Sequence, residues 1–146
     1  MKVFILEVIL KVIWWKHNSG FIISGSRDND AGNTAELYQP GLGVPCSLPL
    51  LPDPRSDHTH SSNGLICGGY GGYRTKETAT TCLQWRNYTW QTGVKLSVRR
   101  EDHLSWLTPN NTLLLLGGHG FSARTAEVVN TNGTKEKPFI LKYPIE

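Results

Sequence analysis

An apolar run that ends in glycine occurs three times in this chain, and that recurrence restricts the fold more than any other feature. The stretches "FIISGSRD", "LICGGYGG" and "LLLLGGHG" put Gly25, Gly68 and Gly117 at the ends of their runs, 43 and 49 residues apart. A small polar loop and a Thr-Ala pair follow each one: Thr34-Ala35, Thr78-Ala79 and Thr125-Ala126. A separate marker, Asp-His, precedes the next apolar run in "RSDHT" and "REDHL", with His58 and His103 45 residues apart. Markers of different composition that share a period in the mid-forties define an internal repeat. The first unit extends backwards, because "VIWWKHNSGFIISGS" aligns without gaps to "LSWLTPNNTLLLLGG" and sets Trp14 on Trp106. This assigns residues 11–16 to an innermost strand that pairs with 21–25. The competing reading is a secretory leader. Glu7 and Lys11 interrupt the apolar run, and Trp14-Trp15-Lys16 stands where a cleavage site needs small residues. The run is also too short to span a bilayer, which takes about 20 mostly apolar residues.

The glycine-ended runs are short, rich in Val, Ile, Thr and aromatics, and bounded by turn residues, which reads as strand rather than helix. Four strands fit each unit: 57–62, 64–69, 78–85 and 89–96 in the second, and 103–108, 112–118, 125–130 and 137–142 in the third. Four short strands per unit of this length describe a β-propeller blade. The expected fold is all-β, an incomplete β-propeller of about three four-stranded blades at 11–50, 51–97 and 98–146, with residues 1–10 unassigned. A glycine closing a strand permits positive φ and a close backbone approach where neighbouring blades meet.

The chain resembles the kelch-repeat family, which shares its propeller with the central domain of galactose oxidase. The resemblance rests on the double glycines Gly68-Gly69 and Gly117-Gly118, on an aromatic after the following strand (Tyr38, Trp85), on Trp90, and on the R-x-x-H lead-in from Arg55 to His58 and from Arg100 to His103. It covers roughly 11–142. The first repeat departs from it with Gly25-Ser26, and carries Cys46 where the second has Trp90; the third offers Phe139 there. The resemblance implies structural roles for the glycines, His58, His103 and Trp90, and binding through variable loops, so no family ligand site carries over. Closed propellers hold 4–8 blades. Three blades leave two open faces, and the expectation is a fragment of a larger propeller whose remaining blades are missing or supplied by another chain.

Net charge is +3 with 18% charged residues, and the basic residues are scattered apart from Arg99-Arg100. No basic stripe interleaves with stacking aromatics, so nucleic acid is not an expected partner. Three Asn-x-Ser/Thr sequons, at Asn87, Asn110 and Asn132, all fall in expected turns. Together with two cysteines on adjacent strands they favour an extracellular, secreted glycoprotein; a cytoplasmic protein with free thiols is the alternative. In an antiparallel hairpin that sets Gly69 opposite Thr80, Cys67 faces Cys82, close enough for a disulfide. The rival pairing uses Cys46, which could staple two blades.

Five histidines raise the question of a metal. His58 and His60 lie two apart on a strand and share a face, yet His58 and His103 recur at one repeat position, which speaks for a role in the blade. No metal ligands, no cofactor and no catalytic residues are expected. Asp102-His103 lacks a G-x-S-x-G partner, and "GGYGGY" lacks the Lys-Ser/Thr ending and the helix of a phosphate loop. Trp85, Trp90 and Trp106 are expected to pack between blades, whereas Tyr70 and Tyr73 on the glycine-rich loop are candidates for a contact surface. The functional expectation is a non-enzymatic protein- or glycan-binding scaffold. A fragment of a galactose-oxidase-like copper oxidase and a non-functional remnant are the alternatives.

Overall fold

The computed structural model describes residues 13–17, 20–27, 32–61, 64–71, 78–130 and 138–145. The N-terminal segment 1–10, the first two residues of the expected strand 11–16, Tyr73 and Asn132 lie outside the described residues.

Among the described residues, twelve strands form three antiparallel sheets of four. The first contains β1 (Ile13–His17), β2 (Gly20–Ser24), β3 (Ala35–Tyr38) and β4 (Cys46–Ser47). The second contains β5 (Thr59–His60), β6 (Leu65–Cys67), β7 (Thr81–Arg86) and β8 (Thr89–Lys95). The third contains β9 (Leu104–Leu107), β10 (Thr112–Leu116), β11 (Thr125–Asn130) and β12 (Phe139–Ile140). Each sheet is a meander in chain order. The first strands converge, β1 against β5 and β5 against β9, which makes them the inner strands of an incomplete propeller. Trp14 stands opposite Ile23 in the first hairpin, so the inner strand pairs with the glycine-ended strand as the alignment predicts.

The same backbone hydrogen bonds recur in every sheet. The N–H groups of Gly25, Gly68 and Gly117 donate to the carbonyls of Thr34, Thr81 and Thr125. Those of Leu51, Leu96 and Leu141 donate to Asn33, Thr80 and Arg124, and those of Arg55, Arg100 and Ile145 to Gly32, Ala79 and Ala123. This set corrects one sequence marker. Thr78-Ala79 is not the counterpart of Thr34-Ala35, because 78–80 forms a 3-10 turn and β7 starts at Thr81. Cys82 takes the place of the alanine.

Two hydrophobic seams hold the blades face to face. In the first, Ile22, Ala35 and Leu37 meet Ile66, Leu83 and Trp90. The Trp90 indole N–H also reaches across to donate to the Pro49 carbonyl at 3.0 Å. In the second seam Leu65, Cys67 and Cys82 meet Leu113, Leu115 and Val129. Trp106 differs from its expected interblade role. It is 63% exposed, because it points away from the second blade and none of the described residues covers that face of the third.

Cys67 and Cys82 are register partners and form a disulfide, with Cα atoms 4.0 Å apart and both residues fully buried. Cys46 is free and exposed, so the alternative pairing is not adopted. The bond closes 15 residues of chain, a constraint worth about 3 kcal/mol in the chain-entropy account. Replacing both cysteines with alanine is expected to lower the melting temperature by roughly 6–12 °C. Calorimetry on the two forms checks this, and equal melting temperatures would refute it.

Candidate binding cleft

The Arg-x-Asp-His turns build the connection between blades and, at the same time, one wall of a cleft. The Arg100 carbonyl accepts the Gly69 N–H at 2.8 Å, and the Arg55 carbonyl accepts the Ser26 N–H at 3.2 Å. Each arginine thus grips the preceding blade with its backbone. Its guanidinium turns into its own blade: Arg55 donates to the carbonyls of Gly68 (3.2 Å) and Thr81 (3.3 Å), and Arg100 to those of Gly117 (2.8 Å) and Thr125 (3.1 Å). Both side chains are fully buried. Burial pushes Arg55 down to about 10, an effect partly offset by Asp53, so the group stays cationic at neutral pH.

The aspartate and the histidine of each turn have different destinations: both aspartates line the cleft, and both histidines enter the interior. Asp57 and Asp102 adopt left-handed backbone, with φ of 53° and 55°. This is a conformation that aspartate tolerates better than most residues. His58 and His103 turn inward and are buried. The His103 Nε2 lies 2.8 Å from Thr59 Oγ1. His58 Nε2 lies 3.1 Å from both Ser24 Oγ and His60 Nε2, and the His60 Nε2 lies 2.9 Å from the same serine oxygen. Burial, followed by the neighbouring His60, Arg55 and His103, holds His58 well below the usual imidazole range. Burial and then Arg55 push His60 down to about 3; burial and then Arg100 do the same to His103. These imidazoles are neutral at physiological pH. Among the described residues no group of three or more His, Cys, Asp or Glu is arranged to hold a metal ion.

The cleft opens at the end of the sheets where the glycine turns gather, and it is lined by Arg27, Asp57, Tyr70, Glu101, Asp102 and His119. All three blades contribute. The Arg27 guanidinium bonds the Asp57 carboxylate at 3.0 Å, linking first and second blades. The Asp102 N–H donates to the Asp57 carbonyl, and the His119 N–H to the Glu101 carbonyl, both at 3.0 Å. Tyr70 is held by a two-way backbone pair with Ser56, at 2.9 and 2.7 Å, which leaves its ring 40% exposed on the wall. Beyond Glu101 and His119 the cleft continues into a second depression that ends at the fully exposed Phe121. Carboxylates, a guanidinium, an imidazole and the Tyr70 ring therefore line one cleft, with the Phe121 ring in the depression next to it.

Of the two tyrosines expected at a contact surface, Tyr70 lines this cleft and Tyr73 lies outside the described residues; Asp102, paired with His103 in the sequence reading, lines it as well. No single motif of the sequence unites Arg27, Asp57, Glu101, Asp102 and His119. Their partial signal is the repeated Asp-His, which reads as a structural marker until Asp57, itself buried, and the exposed Asp102 are seen to line one cleft. Asp102 and His103 do not form a catalytic pair, since one lies at the cleft and the other in the interior. The sequons differ in position. Asn87 occupies the tight turn between β7 and β8 with φ of 50°, and Asn110 the turn between β9 and β10; both are exposed.

No protein-family profile and no curated protein matches the sequence. A solved structure of a fungal alcohol oxidase of the AA5 family, in complex with copper, is similar in fold, with a TM-score of 0.65 at 16% identity. The match covers 92% of this chain and 32% of that protein, so the chain spans about a third of its length. At this identity the likeness shows the fold alone.

Proposed function

We propose that this chain is a non-enzymatic, kelch-type propeller segment that holds a protein or glycan ligand in the cleft lined by Arg27, Asp57, Tyr70, Glu101, Asp102 and His119, in an extracellular setting. The observation that carries the reading is the meeting of exposed aromatic rings and hydrogen-bonding charges from three blades at one end of the sheets. Rigid aromatic rings supply contact area at low entropic cost, and fixed polar groups orient a ligand. The buried disulfide and the two exposed sequons support an oxidising, secretory compartment. The copper-containing neighbour lends the fold and no activity. Among the described residues no helix is long and apolar enough to cross a membrane.

The test is a screen of the chain against immobilised glycans and extracellular proteins, followed by titration of Tyr70→Ala against each hit. Loss of the aromatic anchor is expected to weaken binding about tenfold or more while leaving the melting temperature unchanged, because the ring lies on the surface. Hits that bind Tyr70→Ala and wild type equally would show that the cleft is not the site.

A further inference from the structure

We propose that the uncovered face of the third blade binds the uncovered face of the first blade of a second copy of this chain, closing two copies into one ring. The shared glycine hydrogen bonds give the correspondence between blades. Three residues before the anchor glycines stand Ile22, Leu65 and Leu114; one residue before them stand Ser24, Cys67 and Leu116. The first two members of each set are buried by the following blade. Leu114 and Leu116 are only half-buried, and their register partners Trp106 and Leu104 are 63% and 59% exposed. This is the giving half of a seam that the molecule builds twice and here leaves open.

The receiving half lies at the other end. Two residues before the glycines stand Ile23, Ile66 and Leu115. Four residues after the anchor threonines stand Tyr38, Trp85 and Val129. Ile66 and Trp85 face the first blade, and Leu115 and Val129 face the second. Ile23 and Tyr38 hold the same positions on the first blade, and among the described residues no sheet lies against them; Tyr38 is 39% exposed.

A polar detail selects a second copy as the occupant. In the second seam the Ser97 N–H, just after β8, donates to the fully buried Glu127 carboxylate at 2.7 Å. In the first seam the residue equivalent to Ser97 is Pro52, which has no N–H, and the residue equivalent to Glu127 is Leu83. Donor meets carboxylate, and non-donor meets leucine. At the open end of the third blade the equivalent residue is Lys142, a donor, and on the open face of the first blade the equivalent residue is Glu36, an exposed carboxylate. The two ends of one chain thus match each other by the rule its internal seams obey. Such a contact is heterologous and stays finite only if it closes. The three described blades taken twice make six, inside the range of known propellers.

Light scattering after size exclusion, on the full chain over a range of concentrations, tests this. A discrete dimer is expected. Glu36→Lys, a surface change, should raise the dimer dissociation constant tenfold or more with the circular dichroism spectrum intact. Lys142→Pro and Glu36→Leu should each weaken the dimer, and the double variant, which recreates the pairing of Pro52 with Leu83, should recover most of the loss. That recovery separates a specific seam from general destabilisation. A monomer at every concentration, which is what a further blade of a longer polypeptide on this face would give, overturns the proposal. So does a dimer indifferent to Glu36→Lys, or an open-ended series of oligomers.

Discussion

Acidification from pH 7 to pH 5 is expected to cost this protein about 4 kcal/mol of stability, from His60 and His103 alone. Both imidazoles are pushed down to about 3 in the fold, against an ordinary 6.5. At pH 5 the folded chain keeps them neutral while the unfolded chain takes up both protons, which is worth about 2 kcal/mol per group. The sign follows from the lowered value: the contribution is complete above pH 6.5, shrinks as pH falls through 6.5, and is exhausted near 3. His58, shifted in the same direction, steepens the loss. His60 keeps some contact with solvent, which trims its share. No carboxylate is hydrogen-bonded to any of these rings among the bonds described, and Arg55 and Arg100 oppose protonation. For a domain this size, about 4 kcal/mol lowers the melting temperature by roughly 8–16 °C. Thermal melts at pH 7.5, 6, 5 and 4 measure it, and His103→Gln should flatten the profile. A melting temperature that holds steady from pH 7 to 5 would contradict the burial of neutral imidazoles.

The second large effect is expected from Gly68→Ala. Gly68 has φ of 64°, and an added Cβ would stand 2.4 Å from the Arg100 carbonyl oxygen and 2.9 Å from the His103 ring. The left-handed backbone costs an alanine about 1–2 kcal/mol. The clash cannot be relieved by a rotamer change, since its nearest partner is backbone, and overpacking of this kind costs about 1–3 kcal/mol more. A total of roughly 2–5 kcal/mol is a large part of the stability of an ordinary domain. Denaturant titration should show a midpoint far below wild type. An exposed control, Gly41→Ala, has the same sign of φ and open space around it, so it isolates the backbone cost. Equal losses at the two positions would mean that the close approach of the blades contributes nothing.

What the sequence disclosed was what repeats or pairs locally. The glycine-ended strands, the order of four strands per unit and the opposition of Cys67 and Cys82 follow from spacing and register. Thr78-Ala79 stands three residues before the true counterpart, Thr81-Cys82, because Cys82 replaces the alanine of its unit. Trp106 misled because which face of a strand is covered depends on a neighbouring blade and not on the strand itself. The cleft was the least legible feature. Arg27, Tyr70, Asp102 and His119 come from three blades and meet only after the sheets are stacked, and the histidine beside each aspartate has a different destination.

Arg55 and Arg100 each bind backward through the carbonyl and sideways through the guanidinium, so the second and third blades carry a plug of one standard gauge for the glycine socket of the blade before. The socket at Gly25 would accept the turn at Arg100 as readily as the one at Arg55. A genetic event that removes or duplicates one whole unit therefore restores the backbone joint at the glycine, though the seam beside it still has to match donor to carboxylate or non-donor to leucine; an insertion of half a unit leaves a turn with no glycine to grip. On this account the number of blades is free to vary by duplication over evolutionary time, while the joint itself is held constant by geometry.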